Sequence, residues 1–88
     1  MSQVVVDASF YPHPNCVDFF CSLDGWKPHP LYFHPEKQKW VITLLGIPDG
    51  KYHCKFRING TVWVCLDNLP KVTDHEGNQN NLLVVDSS

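Results

Sequence analysis

The chain has little of what marks a catalyst or a nucleic-acid binder. Its 88 residues carry seven lysines and arginines against nine aspartates and glutamates, a formal net charge of −2. With no basic excess there is no general attraction to a phosphate backbone, and nucleic acid is not expected as a partner; only a local pair, Lys55 and Arg57, points that way. No G-x-S-x-G or comparable nucleophile motif occurs, and the Asp/Glu residues are scattered through turns. A chain of this length makes one small domain, 1–88, with little room for a catalytic cleft, so a non-enzyme is expected. The histidines, at 13, 29, 34, 53 and 75, lack any tight Cys/His ligand spacing, and neither a metal nor another cofactor is expected. The cysteines, Cys16, Cys21, Cys54 and Cys65, contain no C-x-x-C and sit inside strand-like runs. They read as free buried thiols of a reducing compartment, with pairing as the alternative. Met1 leads straight into a strand pattern without a charged leader, an apolar core segment or a spanning stretch. A cytoplasmic chain with no membrane contact is the expectation.

No segment holds a helical period, and what is present is β-like. The run from Gly50 to Trp63, GKYHCKFRINGTVW, organises the rest. Tyr52, Cys54, Phe56 and Ile58 alternate with Lys51, His53, Lys55 and Arg57, so a strand here has one apolar and one basic face. Asn59-Gly60, the dipeptide best suited to a hairpin turn, leads into a second β-rich run, Thr61 to Leu66. Further strands are read at Gln3 to Phe10, Cys16 to Ser22, Lys39 to Leu45 and Leu82 to Val85. Leu31 to His34, hemmed by prolines, reads as an edge strand. Leu23-Asp24-Gly25-Trp26 and Ile47-Pro48-Asp49-Gly50 read as turns, and the polar stretch from Asp67 to Asn81 as a loop. The whole predicts an all-β, immunoglobulin-like antiparallel sandwich of about seven strands.

Two turn lengths at Asn59-Gly60 give opposite outcomes for Trp63. A two-residue loop pairs Ile58 with Thr61 and Phe56 with Trp63, burying the indole. A three-residue loop pairs Ile58 with Val62, Arg57 with Trp63, Phe56 with Val64 and Lys55 with Cys65, exposing it. Burial of a valine or leucine contributes roughly 1.5 to 3 kcal/mol. The longer loop puts Val62, Val64 and Leu66 on the apolar face, so it is the register expected. Cys54 and Cys65 then lie on opposite faces and cannot bond.

An ordered set of motifs carries a resemblance across nearly the whole chain. Cys21-Ser22-Leu23-Asp24-Gly25-Trp26, Leu45 to Tyr52 (LGIPDGKY), Lys55 to Gly60 (KFRING), Pro70 to Asp74 (PKVTD) and Gly77 to Val85 (GNQNNLLVV) together resemble the glycogen-binding module of AMP-activated protein kinase β subunits and of starch-branching enzymes. The resemblance implies an early-set immunoglobulin-like sandwich that binds α-1,4-linked glucose chains without catalysis. It also implies glycogen as ligand and, through a larger regulatory protein, the subunits of a kinase complex as partners. The family's stacking tryptophans fall on Trp26 and Trp63, its sugar-contacting lysine on Lys55 and its hydroxyl-binding asparagine on Asn80. Asn78 stands where the family has a threonine and retains hydrogen-bonding capacity. Glu76 replaces a leucine that inserts beside the sugar, and one extra residue lies between Gly60 and Trp63. The residue types suit the task on their own chemistry, since the C–H face of a glucose ring packs on an aromatic plane and its hydroxyls need amide and ammonium partners.

Each of these residues also has a plainer reading. Trp26 could plug one end of the sandwich, Lys55 and Arg57 could be a solvated face, and the asparagine-rich stretch a mere turn. Trp40 alternates with Ile42 and Leu44 and is assigned to the core. The competing functional expectation is a protein-interaction domain of the same fold that has lost tight glucan binding.

Overall fold

A computed structural model describes residues 2–86 of the chain. The branched run at its start, β1 (Ser2–Ala8), pairs antiparallel with β5 (Lys39–Ile47), and β4 (Tyr32–His34) takes the other edge of β5. These three strands form the smaller sheet, and β4 is an edge strand as its prolines predict. At Pro48 and Asp49 the chain turns out of this sheet into β6 (Gly50–Ile58), the middle of the larger one. There β6 pairs along one edge with β2 (Val17–Cys21), which carries β3 (His29–Pro30) on its far side. The other edge of β6 is shared: β9 (Gln79–Val85) takes residues 50–54 and β7 (Val62–Val64) takes 56–58. Beyond β9 lies β8 (Lys71–Thr73).

The two sheets stack as a sandwich whose interior follows strand alternation. Val6, Ala8, Trp40 and Ile47 come from one sheet, and Val17, Phe19, Cys21, Cys54, Phe56, Leu83 and Val85 from the other. Trp40 is buried, as its spacing from Ile42 predicts, with its ring 5.4 Å from that of Phe33. The all-β sandwich is therefore the observed fold, with nine strands among the described residues rather than about seven. The difference lies in short polar edges. Strand β3 is two residues long and ends on a proline, and β8 lies inside the stretch read as a loop.

Strand β9 begins at Gln79, three residues before the expected Leu82, because Asn81 has an interior role. Fully buried, its amide accepts from Leu66 N at 2.6 Å and donates to the carbonyls of Leu66 (2.9 Å), Leu69 (3.3 Å) and Pro70 (3.3 Å). An asparagine is poor strand material when its amide must stay in water. Here the loop before β8 supplies the partners instead.

The central hairpin has the longer-loop register: Ile58 opposite Val62, Arg57 opposite Trp63 and Phe56 opposite Val64. Its turn nevertheless closes over two residues, with Asn59 and Gly60 both left-handed (φ 53° and 71°) and Thr61 N–H donating to Ile58 O at 3.1 Å. Thr61 is the surplus residue. Asn59 is held in this uncommon conformation by the two residues that precede β2: its Oδ1 accepts from Asn15 N (2.8 Å) and Cys16 N (3.4 Å), and its own N–H donates to Cys16 O at 3.0 Å. Two details differ from expectation. The strand stops at Val64, so Lys55 and Cys65 do not pair, and Val62 at the hairpin tip remains 54% exposed. The register rests on the half-buried Val64 and the buried Leu66 instead.

All four cysteines are free. Cys54 faces Cys21 across the β2–β6 ladder in the core, and Cys65 donates its S–H to Gln79 O at 3.4 Å. Burial, and then the neighbouring thiols Cys21 and Cys65, push the Cys54 thiol up to about 12, and burial raises Cys21 as well. Only thiolates attack disulfide reagents, so the folded chain at pH 8 should surrender exposed Cys16 rapidly and hold back Cys21 and Cys54 until denaturant is added. Mass mapping after brief treatment with a thiol reagent checks this; a Cys54 that reacts as fast as Cys16 is incompatible with the sandwich described.

Candidate functional site

The outer face of the larger sheet collects the side chains that alternate away from the core. On β6 these are His53, Lys55 and Arg57, while Cys54 and Phe56 point inward and are fully buried. Opposite Lys55 and Arg57 on β2 stand Phe20 and Asp18, opposite Arg57 on β7 stands Trp63, and Asn80 lies on β9. Trp63 is 47% exposed, as the longer-loop register requires. Its ring packs on Phe20 at a centroid distance of 4.6 Å, and the Arg57 guanidinium lies over both rings. Arg57 is not a free solvated cation: it also donates to Asp18 Oδ2 at 3.1 Å.

Trp26 reaches the same end of the molecule as Ser22 and His53 through a tight turn. After β2 the chain makes one turn of 3₁₀ helix, Ser22–Asp24, and Gly25 then adopts φ 75°. Trp26 N–H donates back to Cys21 O at 3.0 Å, the six-residue closure that follows a left-handed glycine. Trp26 is itself left-handed at φ 66°, a conformation costing a bulky residue on the order of 1–3 kcal/mol. Asp24 secures the turn, accepting from Lys27 N at 3.4 Å and pairing with His29 Nε2. Burial alone would raise the Asp24 carboxyl, but the His29 and Lys27 hydrogen bonds outweigh it and hold its pKa below the ordinary value. Ser22 Oγ ties the turn to β6 by accepting from His53 N at 3.1 Å. The indole is 39% exposed and outside the core cluster, so it does not plug the sandwich.

Asn78 and Glu76 belong to a loop folded around one carboxylate. Asp74 Oδ1 accepts from the N–H groups of both Glu76 and Asn78, each at 2.9 Å, while Asp74 N donates to Asn78 O at 2.9 Å. These bonds, the one from Asn78 foremost and partly opposed by desolvation, lower the Asp74 pKa. Both the Asn78 and Glu76 side chains face solvent, and the Glu76 carboxylate lies 3.7 Å from His75 Nε2.

Lys55, Trp63 and Asn80 therefore share one face, with Trp26 and Asn78 on turns that flank it. The Trp26 backbone is tied to Cys21, which pairs with Cys54, whereas Trp63 pairs with Arg57, three residues further along β6. Asn80 differs from the other four in being only 5% exposed, with its Nδ2 3.2 Å from His53 Nδ1. Among the described residues no group of three His, Cys, Asp or Glu side chains could hold a metal ion.

Comparison with known proteins adds one finding to this geometry. A family model described as the glycogen recognition site of AMP-activated protein kinase matches residues 13–88. The chain belongs to this glycogen-recognition family. The match leaves out only the first twelve residues, so it covers every strand but β1 and all of the residues above. No curated protein matches the chain significantly.

On this face and its flanking loop, sequence reasoning missed Phe20, Asp18 and Asp74, and it read His53 only as one of the alternating residues of the basic face. One signal existed for Phe20: two successive phenylalanines in a strand, Phe19 and Phe20, cannot both face the core. For Asp74 the signal was an Asx-type turn, a short acidic side chain positioned to accept from backbone N–H groups two and four residues on. Because its folded pKa is lowered, its contribution to the loop is present above the ordinary carboxylate range and lost as pH falls through the lowered value. Acid titration should therefore move the Glu76 and Asn78 backbone amide resonances together, with the midpoint below that of an ordinary aspartate. In Asp74→Ala the two resonances should stand at their loop-unfolded positions already at pH 7, with the sandwich intact.

Proposed function

We propose that this chain is a non-catalytic carbohydrate-binding domain that holds α-1,4-linked glucan chains, glycogen among them, across the outer face of its larger sheet. The reading rests on one observation above all: in a member of the glycogen-recognition family, two tryptophans, Trp26 and Trp63, are left half exposed, and Trp63 shares the outer face of the larger sheet with Lys55. The indoles stack on the C–H faces of successive glucose units, and the Lys55 ammonium donates to ring hydroxyls. Asn78, whose side chain also hydrogen-bonds the Asp74 carboxylate, offers its amide oxygen from an exposed position, and Asn80 stands nearly buried at the edge of the same face. Through the protein that carries it, the domain would bring a kinase-complex regulatory subunit to glycogen. Open stacking contacts and solvated hydrogen bonds recover little net free energy, so the dissociation constant for a linear malto-oligosaccharide should be on the order of 0.01 to 1 mM.

A second reading, a protein-interaction domain that has lost tight glucan binding, draws on the near-complete burial of Asn80 and the carboxylate at Glu76. Retention on an amylose resin separates the two. The direct test is a maltoheptaose titration followed by tryptophan fluorescence, in which the parent chain should saturate and Trp26→Ala should lose most of its affinity. A folded Trp26→Ala chain that binds as well as the parent sinks the stacking assignment.

Glu76 tunes the same surface. Its carboxylate must stay solvated and cannot lie against a sugar ring without desolvation. Glu76→Leu should tighten maltoheptaose binding by roughly three- to tenfold through added apolar contact. Unchanged or weaker affinity would place the loop from Asp74 to Asn80 outside the glucan footprint.

A further inference from the structure

Phe20 is the anomaly of the outer face. Its neighbours Phe19 and Cys21 belong to the core that joins the sheets, whereas Phe20 alternates to the other side and is absent from that cluster. It is nonetheless only 5% exposed. Its cover includes the Trp63 indole, with ring centroids 4.6 Å apart and planes inclined by 51°, and the Arg57 guanidinium, 4.8 Å from the Phe20 centroid. Arg57 is fixed from its far side by Asp18 Oδ2 at 3.1 Å and lies 5.6 Å from the Trp63 ring. Three adjacent strands, β2, β6 and β7, thus contribute to one stack in which only Trp63 keeps about half of its surface free.

A tryptophan on a three-residue strand at a sheet edge would ordinarily sample several side-chain orientations. A ligand that needs one of them must then order the ring as it binds, at a cost in affinity. The stack removes that freedom beforehand. We propose that Phe20 is a positioning residue for glucan binding, with Arg57 as its clamp: together they hold the Trp63 indole in the pose that receives a sugar ring. The proposal rests on the reading of this face as a glucan site. Phe20 is itself too buried to touch the sugar and acts only through Trp63.

Maltoheptaose titrations of the full chain, followed by NMR to saturating sugar, test this. Phe20→Leu should weaken binding roughly three- to tenfold, because a branched aliphatic side chain fills space without presenting an aromatic face. Phe20→Tyr, which keeps the ring, should bind like the parent. In a Trp63→Ala background Phe20→Leu should cause no further loss, since additivity fails where one residue acts only through another. In fluorotryptophan-labelled chains the Trp63 resonance should shift toward its unfolded position in Phe20→Leu, while the Trp40 resonance stays in place. A group that only stabilised the sheet would lower the melting temperature and leave sugar affinity alone. Phe20→Leu binding like the parent, or losing the same factor with and without Trp63, overturns the proposal. Should Phe20→Leu fail to fold, Arg57→Lys retains the charge opposite Asp18 and removes the planar group over both rings; it carries the same expectation and the same power to refute. If the parent chain does not bind maltoheptaose at all, the glucan reading falls and takes this inference with it. If the parent binds and Trp26→Ala does not, a neutral Phe20→Leu refutes the positioning role alone.

Discussion

The alternation of side chains along β6 is the constraint on which the rest depends. Cys54 and Phe56 are fully buried between the sheets, and with a period of two that burial forces His53, Lys55 and Arg57 outward. Every neighbour on the face is then placed by its register with β6: Asp18 and Phe20 by β2, Trp63 by β7. A slip of one residue in β6 would exchange the two sets and put two cations into the core, at a cost of several kcal/mol for each unpaired charge. The strand that makes the core therefore also fixes the outer face, and the two cannot be tuned separately.

The flanking turns obey different rules. Trp26 and Asn78 are held by backbone hydrogen bonds to fixed acceptors, Cys21 O for the first and the Asp74 carboxylate for the second. Neither placement needs the residue's own side chain in the interior, so each side chain is left in solvent. The left-handed conformation at Trp26 fits this division. The turn stores strain, and the Asp24–His29 pair together with the Trp26 N–H bond to Cys21 holds it in place.

Much of this was legible in the residue string because alternation is local information. The faces of β6, the core position of Trp40 and the hairpin register all follow from which residues are apolar at a spacing of two. What was not legible depends on partners distant in sequence. Asn80 and Asn81 look like turn formers, and only the loop at Leu66–Pro70 and the His53 imidazole reveal why they sit in a strand. Strand β8 has three residues and no apolar alternation to announce it. Phe20 was hidden for the opposite reason: it looks like core and is buried like core, but its cover is built by residues 37 and 43 positions away in the chain.

Thr61 carries a consequence for how such a domain can change length. A residue added within β7 would rotate every later side chain of that strand through half a turn and carry the indole to the opposite side of the sheet. Added at the tip, between a two-residue turn and the first paired position, the surplus residue leaves the parity of the strand unchanged. The bonds from Asn59 to Asn15 and Cys16 pin the tip on its other side, so the slack is confined to one peptide unit. In evolutionary terms the hairpin can absorb an odd insertion at this point and keep its outward face, whereas the same insertion two residues later would erase it.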